Sequence, residues 1–284
     1  MLIEHIDGPK ALLQAKADWD AVYAADPEAT AFLSWEWINR WYKEVGTYWF
    51  VLAARPDAAS DYVAFFPLQM RIEMWNEGGF YNEVKMGCSD FADYAGFLCQ
   101  PAHQEEVIPA FAQYLLKMHW AKFHFNHITA SGARTRLFMK AFERSRFVIE
   151  KAPRPMADGV DRNVCPHVPL PADWDVYLDT QLSTNTRAKA RRFLKRIDES
   201  REFRITLSNK DTLTRDLEIL FGFWKLRWEA SKGSNIENII TGNRRMFMEA
   251  AQADMLFLPV LWHGDTPVAR WRPCSTPRRN RCCF

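Results

Sequence analysis

The sequence predicts an α+β fold laid out as two units of similar plan. Three observations predict it. Helix-spaced apolar residues open the chain and then give way to short alternating runs bounded by turn residues. A helix–strand–helix–strand order follows. After a proline-rich break, helical patterns again come before strand patterns.

In chain order, residues 9–24 begin with Pro9 and place Leu12, Leu13, Ala17, Ala21 and Val22 near helical spacing. Ser34 to Val45 reads as a helix capped by Ser34, with Trp37 and Trp41 four apart on one face. The period then shortens. Tyr48–Ala53, Tyr62–Trp75, Phe80–Met86 and Tyr94–Leu98 read as strands, separated by Pro56-Asp57, Asn76 to Gly79 and Gly87 to Asp90. A helix (Gln104 to Leu116), a strand (Lys122 to Ile128), a helix (Arg134 to Arg144) and a strand (Phe147 to Lys151) complete the first unit, residues 1–152. Lys151 to Asn163 is rich in proline and poor in apolar residues, so the linker falls at 153–163. The second unit, 164–269, reads as a strand (Val164–Leu170), a short helix from Pro171, a helix (Thr184 to Ser200) and a strand (Phe203–Leu207). Helices over Thr212 to Ala230 and Asn243 to Ala253 follow, then a strand (Met255–Trp262).

The last stretch breaks the pattern. Residues 270–284 (RWRPCSTPRRNRCCF) carry five arginines, three cysteines and two prolines, with no acidic residue and no apolar period. Just before them, MLFLPVLWHGDTPVA reads as a hairpin interrupted as its return strand begins. A shifted reading frame after about Ala269 accounts for both, and the expectation is a second unit cut short.

Composition is that of an ordinary water-soluble globular chain, 48% hydrophobic and 25% charged. Subtracting the five tail arginines from the net charge of +2 leaves −3, which gives no general case for nucleic acid as a partner. Cys88, Cys99 and Cys165 are far apart and form no Cys-x-x-Cys pair, as expected of free thiols in a reducing compartment. The N-terminus lacks a basic and apolar leader, and no uncharged run approaches the roughly 20 residues that span a bilayer. These features predict a cytoplasmic protein with no transmembrane segment. Oligomeric state is not legible.

Two segments invite chemistry. Arg187 to Arg196 (RAKARRFLKR) has six basic residues and no acid. As a helix it turns Phe193, Leu194 and Ile197 toward a core. Arg187, Arg191 and Arg192 are then candidate contacts for phosphates, unless the helix is simply a solvated face balanced by Asp198 and Glu199. In Ser89 to Tyr94, the carboxylates of Asp90 and Asp93 and the Tyr94 phenol could orient an amine or hydroxyl acceptor and take its proton. The same residues are also ordinary turn formers. His119, His124 and His127 lie close together, but strand alternation separates His124 from His127 and no acid or cysteine completes a ligand set nearby in sequence, so no metal site is expected. Trp35, Trp37, Trp41, Trp224 and Trp228 could stack on sugars, but at helical spacing they read first as core. No Walker loop, GxGxxG or Ser-His-Asp context occurs.

Several segments together resemble one family: DPEATAFLSWEWINRWYKEVG, FFPLQM and SDFADYAGF in the first unit, and CPHVPLPADWDVYLDTQLSTNTRAKARRFLKRIDES, WKLRWEASKG and LFLPVLWHGDTPVA in the second. The chain is similar to bacterial acyltransferases with a BioF2-like acetyltransferase domain, a group that includes CelD-type cellulose biosynthesis proteins, and more distantly to FemAB-type aminoacyltransferases. The resemblance implies tandem GNAT-like domains, a degenerate one at 1–152 and an acyltransferase one at 164–269. It implies acetyl-CoA or another acyl-CoA as cosubstrate, and a small-molecule or glycan-precursor acceptor. In such folds the coenzyme pyrophosphate rests on backbone N–H groups at a glycine-rich strand-to-helix turn. Here the corresponding turn of the first unit is Leu98-Cys99-Gln100-Pro101-Ala102, without glycine and with a proline that removes a donor. No catalytic or coenzyme residue carries over from the family. The resemblance therefore implies a chain of reduced or absent activity, or alternatively a binding protein for an anionic glycan precursor.

Overall fold

The computed structural model describes residues 1–89, 92–128, 131–143, 147–150, 168–200 and 202–270. The chain divides into two compact units, Met1–Ala152 and Pro153–Phe284. The linker at 153–163, Cys165, Asp90 and residues 271–284 of the arginine-rich ending lie outside the described residues. The fold is α+β, with a mixed sheet in the first unit.

Unit 1 opens with a strand that the residue pattern does not announce, β1 (Leu2–Ile6); its five residues show no apolar alternation and bury only Ile6. The expected first helix is broken at Ala15 into α1 (Pro9–Gln14) and α2 (Lys16–Ala25). Its buried stripe is Leu12, Ala15, Trp19 and Val22, while Leu13 faces water. Helix α3 (Trp35–Glu44) starts where the Ser34 hydroxyl accepts the Trp37 N–H at 3.3 Å, and it buries Trp35, Trp37, Ile38, Trp41 and Tyr42.

Strands β2 (Tyr48–Arg55), β3 (Ala64–Met74) and β4 (Phe80–Met86) form an antiparallel meander with β1 on its outer edge. The strand expected at Tyr94–Leu98 shrinks to β5 (Leu98–Cys99), paired with β3. Helix α4 (Gln104–Lys117) then crosses over to β6 (Lys122–His124), which runs parallel to β4. Helix α5 (Gly132–Lys140) follows, and residues 147–150, expected in a strand, are in none.

The two sides of this sheet are covered by different helices. On one, Trp19 stacks on Phe65 with centroids 4.5 Å apart, and Tyr42 stacks on Trp49 at 4.0 Å. On the other, Val107, Ile108, Phe111 and Leu115 of α4 and Phe138 of α5 pack on Phe50, Leu52, Phe66, Leu68, Val84 and Met86. Truncating one of these buried rings to alanine costs about 3–5 kcal/mol.

Unit 2 contains α6 (Trp174–Gln181), α7 (Thr184–Asp198), β7 (Phe203–Leu207), α8 (Leu213–Lys232), α9 (Asn235–Gln252), β8 (Pro259–His263) and β9 (Thr266–Arg270). Residues 168–170 are in no strand, contrary to expectation. Helix α9 begins well before Asn243 and runs through Gly242, because Ile236, Ile240, Phe247 and Ala250 form one continuous buried stripe. Strands β7, β8 and β9 make an antiparallel sheet, and Gly264, at φ 56°, opens the two-residue turn between β8 and β9. The alternation of β8 buries Val260 and Trp262, and Arg215 of α8 lies over the Trp262 ring, which places α8 on that side. The opposite side keeps Ile205 and Leu207 60% and 56% exposed. Phe193 and Leu194, expected in a core, are 53% and 36% exposed, so α7 buries no residue fully.

Candidate functional site

Three places that the sequence singles out could carry chemistry, each within one unit. The first is the break between β4 and β5. Met86 pairs with Leu68 and Leu98 with Phe65, so residues 87–89 and 92–97 lie outside the strands while β3 advances only from Leu68 to Phe65. Beside this loop the β4–β6 pairing ends at His124, and the next parallel bridge joins Ala95 to Ile128. Non-glycine residues in the left-handed region stand on both sides, Cys88 at φ 64° and His127 at φ 55°. Gln69 supports the loop from below: its amide donates to Met86 O and Ser89 Oγ at 3.4 Å, and its Oε1 accepts the Thr47 hydroxyl at 3.3 Å. The Tyr42 hydroxyl donates to Phe50 O at 3.1 Å, and burial, then the nearby Cys88, push it well above the usual phenol range.

The sequence candidates at this loop fare differently. Asp90 lies outside the described residues. Asp93 is exposed on the loop. Tyr94 is half-buried, with its ring 6.2 Å from Phe32 and its carbonyl accepting the Thr30 hydroxyl at 3.1 Å. Trp35, Trp37 and Trp41, weighed as sugar platforms, are core residues.

The second place is the turn from β5 into α4, where the resemblance puts a pyrophosphate cradle. The Cys99 N–H donates to Asp26 Oδ2 at 2.9 Å. Arg134 clasps both Asp26 oxygens at 2.9 and 3.0 Å and donates to Cys99 O at 3.1 Å and Gln104 Oε1 at 3.3 Å. Asp26 and Arg134 are 0% and 1% exposed. The Glu28 carboxylate accepts the Ser131 N–H at the start of α5, and Glu105 and Glu106 fill the first turn of α4. A helix start offers partial positive charge to an anion. Here two acidic residues already stand in the first turn of α4, one turn residue is Pro101, and the His103 N–H goes to Gln100 O. Burial raises the Cys99 thiol to about 12, with Arg134 opposing, so this cysteine is no thiolate. A hollow of about 240 Å³ lined by Glu105, Ala133, Arg136, Leu137 and Lys140 lies nearby, below the usual range for ligand pockets.

The third place is α7, capped by the Ser183 hydroxyl on the Thr186 N–H. The balancing charges are not mainly the expected Asp198 and Glu199. Arg187 and Arg191 both bond Asp179 of α6, at 2.9 and 3.2 Å, and only Lys195 reaches Glu199, at 3.6 Å. Arg192 carries its guanidinium 5.5 Å from the Phe193 ring. Arg187 and Arg191 are thus partly committed, and Arg192 is the freer of the three candidates.

One constellation escaped the sequence reading. The β4–β6 pairing brings His124 Nε2 to 2.7 Å from Glu83 Oε1, while Lys85 holds Glu83 Oε2 at 2.7 Å. Burial would raise the Glu83 carboxyl, but its bonds to Lys85 and His124 hold it below the usual range. The alternation of β4 gives the face of Glu83; only the crossover through α4 supplies the histidine. Among the described residues no group of three or more His, Cys, Asp or Glu is placed to hold a metal ion, and no helix is long and apolar enough to cross a membrane.

No family model matches the chain, and no curated protein is significantly similar to it.

Proposed function

We propose that the chain is a GNAT-type acyltransferase by architecture, built to move an acyl group from acetyl-CoA or another acyl-CoA to an amine or hydroxyl. The acceptor is a small molecule or glycan precursor of exopolysaccharide, cellulose or cell-envelope assembly. Unit 1 is the degenerate repeat, and the chain is without turnover. The observation that carries this reading is a repeated plan. In unit 1 a strand, a helical crossover and an antiparallel hairpin give the order β1-β2-β3; in unit 2, β7, α8 with α9, β8 and β9 give the same order and directions. Repeated topology argues for fold, and activity must come from a site. What speaks against a working donor site in unit 1 is the Asp26–Arg134 clasp, which occupies the β5–α4 turn with carboxylates. Among the described residues neither unit has a glycine-rich strand-to-helix turn.

The second reading, a binder of anionic glycan precursors, draws on α7, where Arg192 has no carboxylate partner among the described residues. One experiment separates the two. The purified chain is incubated with acetyl-CoA and an amino-sugar acceptor, free thiol is followed, and thermal shifts are recorded with acetyl-CoA and with UDP-glucose. We expect no thiol release above the protein-free blank. Steady release would overturn the inactivity. A shift with UDP-glucose alone, lost in Arg192→Gln, would favour the binder over the acyltransferase.

A further inference from the structure

The outer part of the β3–β4 hairpin reaches past its neighbours. β2 pairs with β3 only as far as Met70, and β6 pairs with β4 only from Glu83 inward. On one side of this arm, period-two alternation aligns Arg71, Glu73 and Trp75 with Tyr81, Glu83 and Lys85, and on β6 Lys122 stands opposite Glu83 and His124 opposite Lys85. The Trp75 and Tyr81 rings are in contact with centroids 4.1 Å apart, their planes tilted by 32°. The Lys122 ammonium is 5.0 Å from the Trp75 centroid and 4.8 Å from that of Tyr81. A point almost equally far from two ring centroids only 4.1 Å apart cannot lie beyond either ring, so Lys122 does not cap the side of Trp75 turned away from Tyr81, and Trp75 is 40% exposed. The Lys122 ammonium also donates to the Tyr81 hydroxyl at 3.1 Å and has no carboxylate within ion-pair distance among the described residues.

We propose that this surface binds an anionic saccharide, one sugar ring lying on the outer face of Trp75 with its carboxylate or phosphate at Lys122. Three features select that class. An exposed indole is a large, stiff apolar plate with little conformational entropy to lose, suited to the C–H face of a pyranose. Lys122 supplies a cation whose charge is not yet neutralised by an ion pair. Glu83, fixed between Lys85 and His124, offers a held acceptor and two polar neighbours to hydroxyl groups about two residues, roughly 7 Å, along the strand. A nucleotide could also use the indole and the cation, so UDP is the competing ligand in the test. The proposal is independent of acyl transfer and of α7.

The test is calorimetric titration of the whole chain with trigalacturonate, glucose 1-phosphate, cellotriose and UDP. Trigalacturonate reports a carboxylate ligand and glucose 1-phosphate a phosphate one. At least one of them is expected to saturate a single site, with cellotriose bound at least tenfold more weakly. Trp75→Ala should lower the affinity at least tenfold, and Lys122→Gln should bring the anionic sugar down to the level of cellotriose. Both positions are on the surface of the arm, and an unchanged melting curve checks the fold; if Trp75→Ala does not fold, Lys122→Gln decides alone. Absence of saturation by both anionic sugars at about 1 mM overturns the proposal. So does tighter binding of UDP, or binding that neither substitution alters.

Discussion

Arg134 is the residue on which the packing of unit 1 turns, because one guanidinium serves three chain segments. It grips Asp26 at the end of α2, the Cys99 carbonyl at β5 and Gln104 at the start of α4. Burial opposes its charge, and the hydrogen bonds and field of Asp26, with Glu28 adding, more than compensate and raise its pKa. A buried pair of this kind is weak evidence of net stability but costly to break from one side. Arg134→Met leaves the Asp26 carboxylate without its counter-ion at 0% exposure and should cost about 3–5 kcal/mol in chemical denaturation. Arg134→Met with Asp26→Leu removes both charges and should recover most of that loss. If the double variant is no more stable than Arg134→Met alone, the pair's cost is not electrostatic and this account fails.

At the scale of elements, the departure of the chain from β4 depends on one close approach. A Cβ on Gly87 would lie 2.9 Å from both the carbonyl carbon and the Cβ of Pro67, and the Gly87 N–H donates to Pro67 O at 2.9 Å. Neither partner is the far end of a flexible side chain, so β3 itself must yield. Gly87→Ala should therefore destabilise unit 1 by about 1–3 kcal/mol, read as a lower denaturation midpoint. It should also perturb the loop through Tyr94 more than the Asn76–Gly79 turn, where a Cβ on Gly78 or Gly79 meets nothing. Elements like these explain what was legible beforehand. The bounds of β4 and β7 and the Ser34 cap follow from local alternation and local hydrogen bonding, and all three are readable in a short window. The Asp26–Arg134 clasp spans 108 residues and the Glu83–His124 contact 41, so no window contains them. β1 is not legible in the sequence for a related reason: it is held by ladder bonds to β2, and its side chains carry no pattern of their own.

For the whole molecule, the two units differ in how much of their sheet is kept from water. Unit 1 has helices on both faces of its sheet, and its larger cluster includes Phe66, Phe97, Phe111 and Phe138. Unit 2 rests on a cluster of Leu217, Leu220, Phe221, Ile236, Ile240, Phe247 and Leu258, and leaves Ile205, Leu207, Leu226 and Phe193 largely exposed. Stability follows apolar area removed from water, at about 25 cal/mol per Å², so unit 2 should open first. Amide hydrogen exchange should show β7 and β8 exchanging through lower-energy openings than β2 and β3. Paired substitutions check the cause. Ile205→Thr with Leu207→Thr changes side chains already largely in water and puts a strand-favouring β-branched residue at both positions, so exchange in β7 should stay within about 0.5 kcal/mol of the parent. Val260→Thr, on the buried side of the same sheet, leaves a hydroxyl without a partner against α8 and should speed exchange throughout unit 2, by about 1–3 kcal/mol. Equal protection of the two units, or a larger loss from the Ile205 and Leu207 pair than from Val260, would mean that the open side of the β7-β8-β9 sheet is covered in solution. The exposed apolar residues would then belong to an interface instead of a weakness.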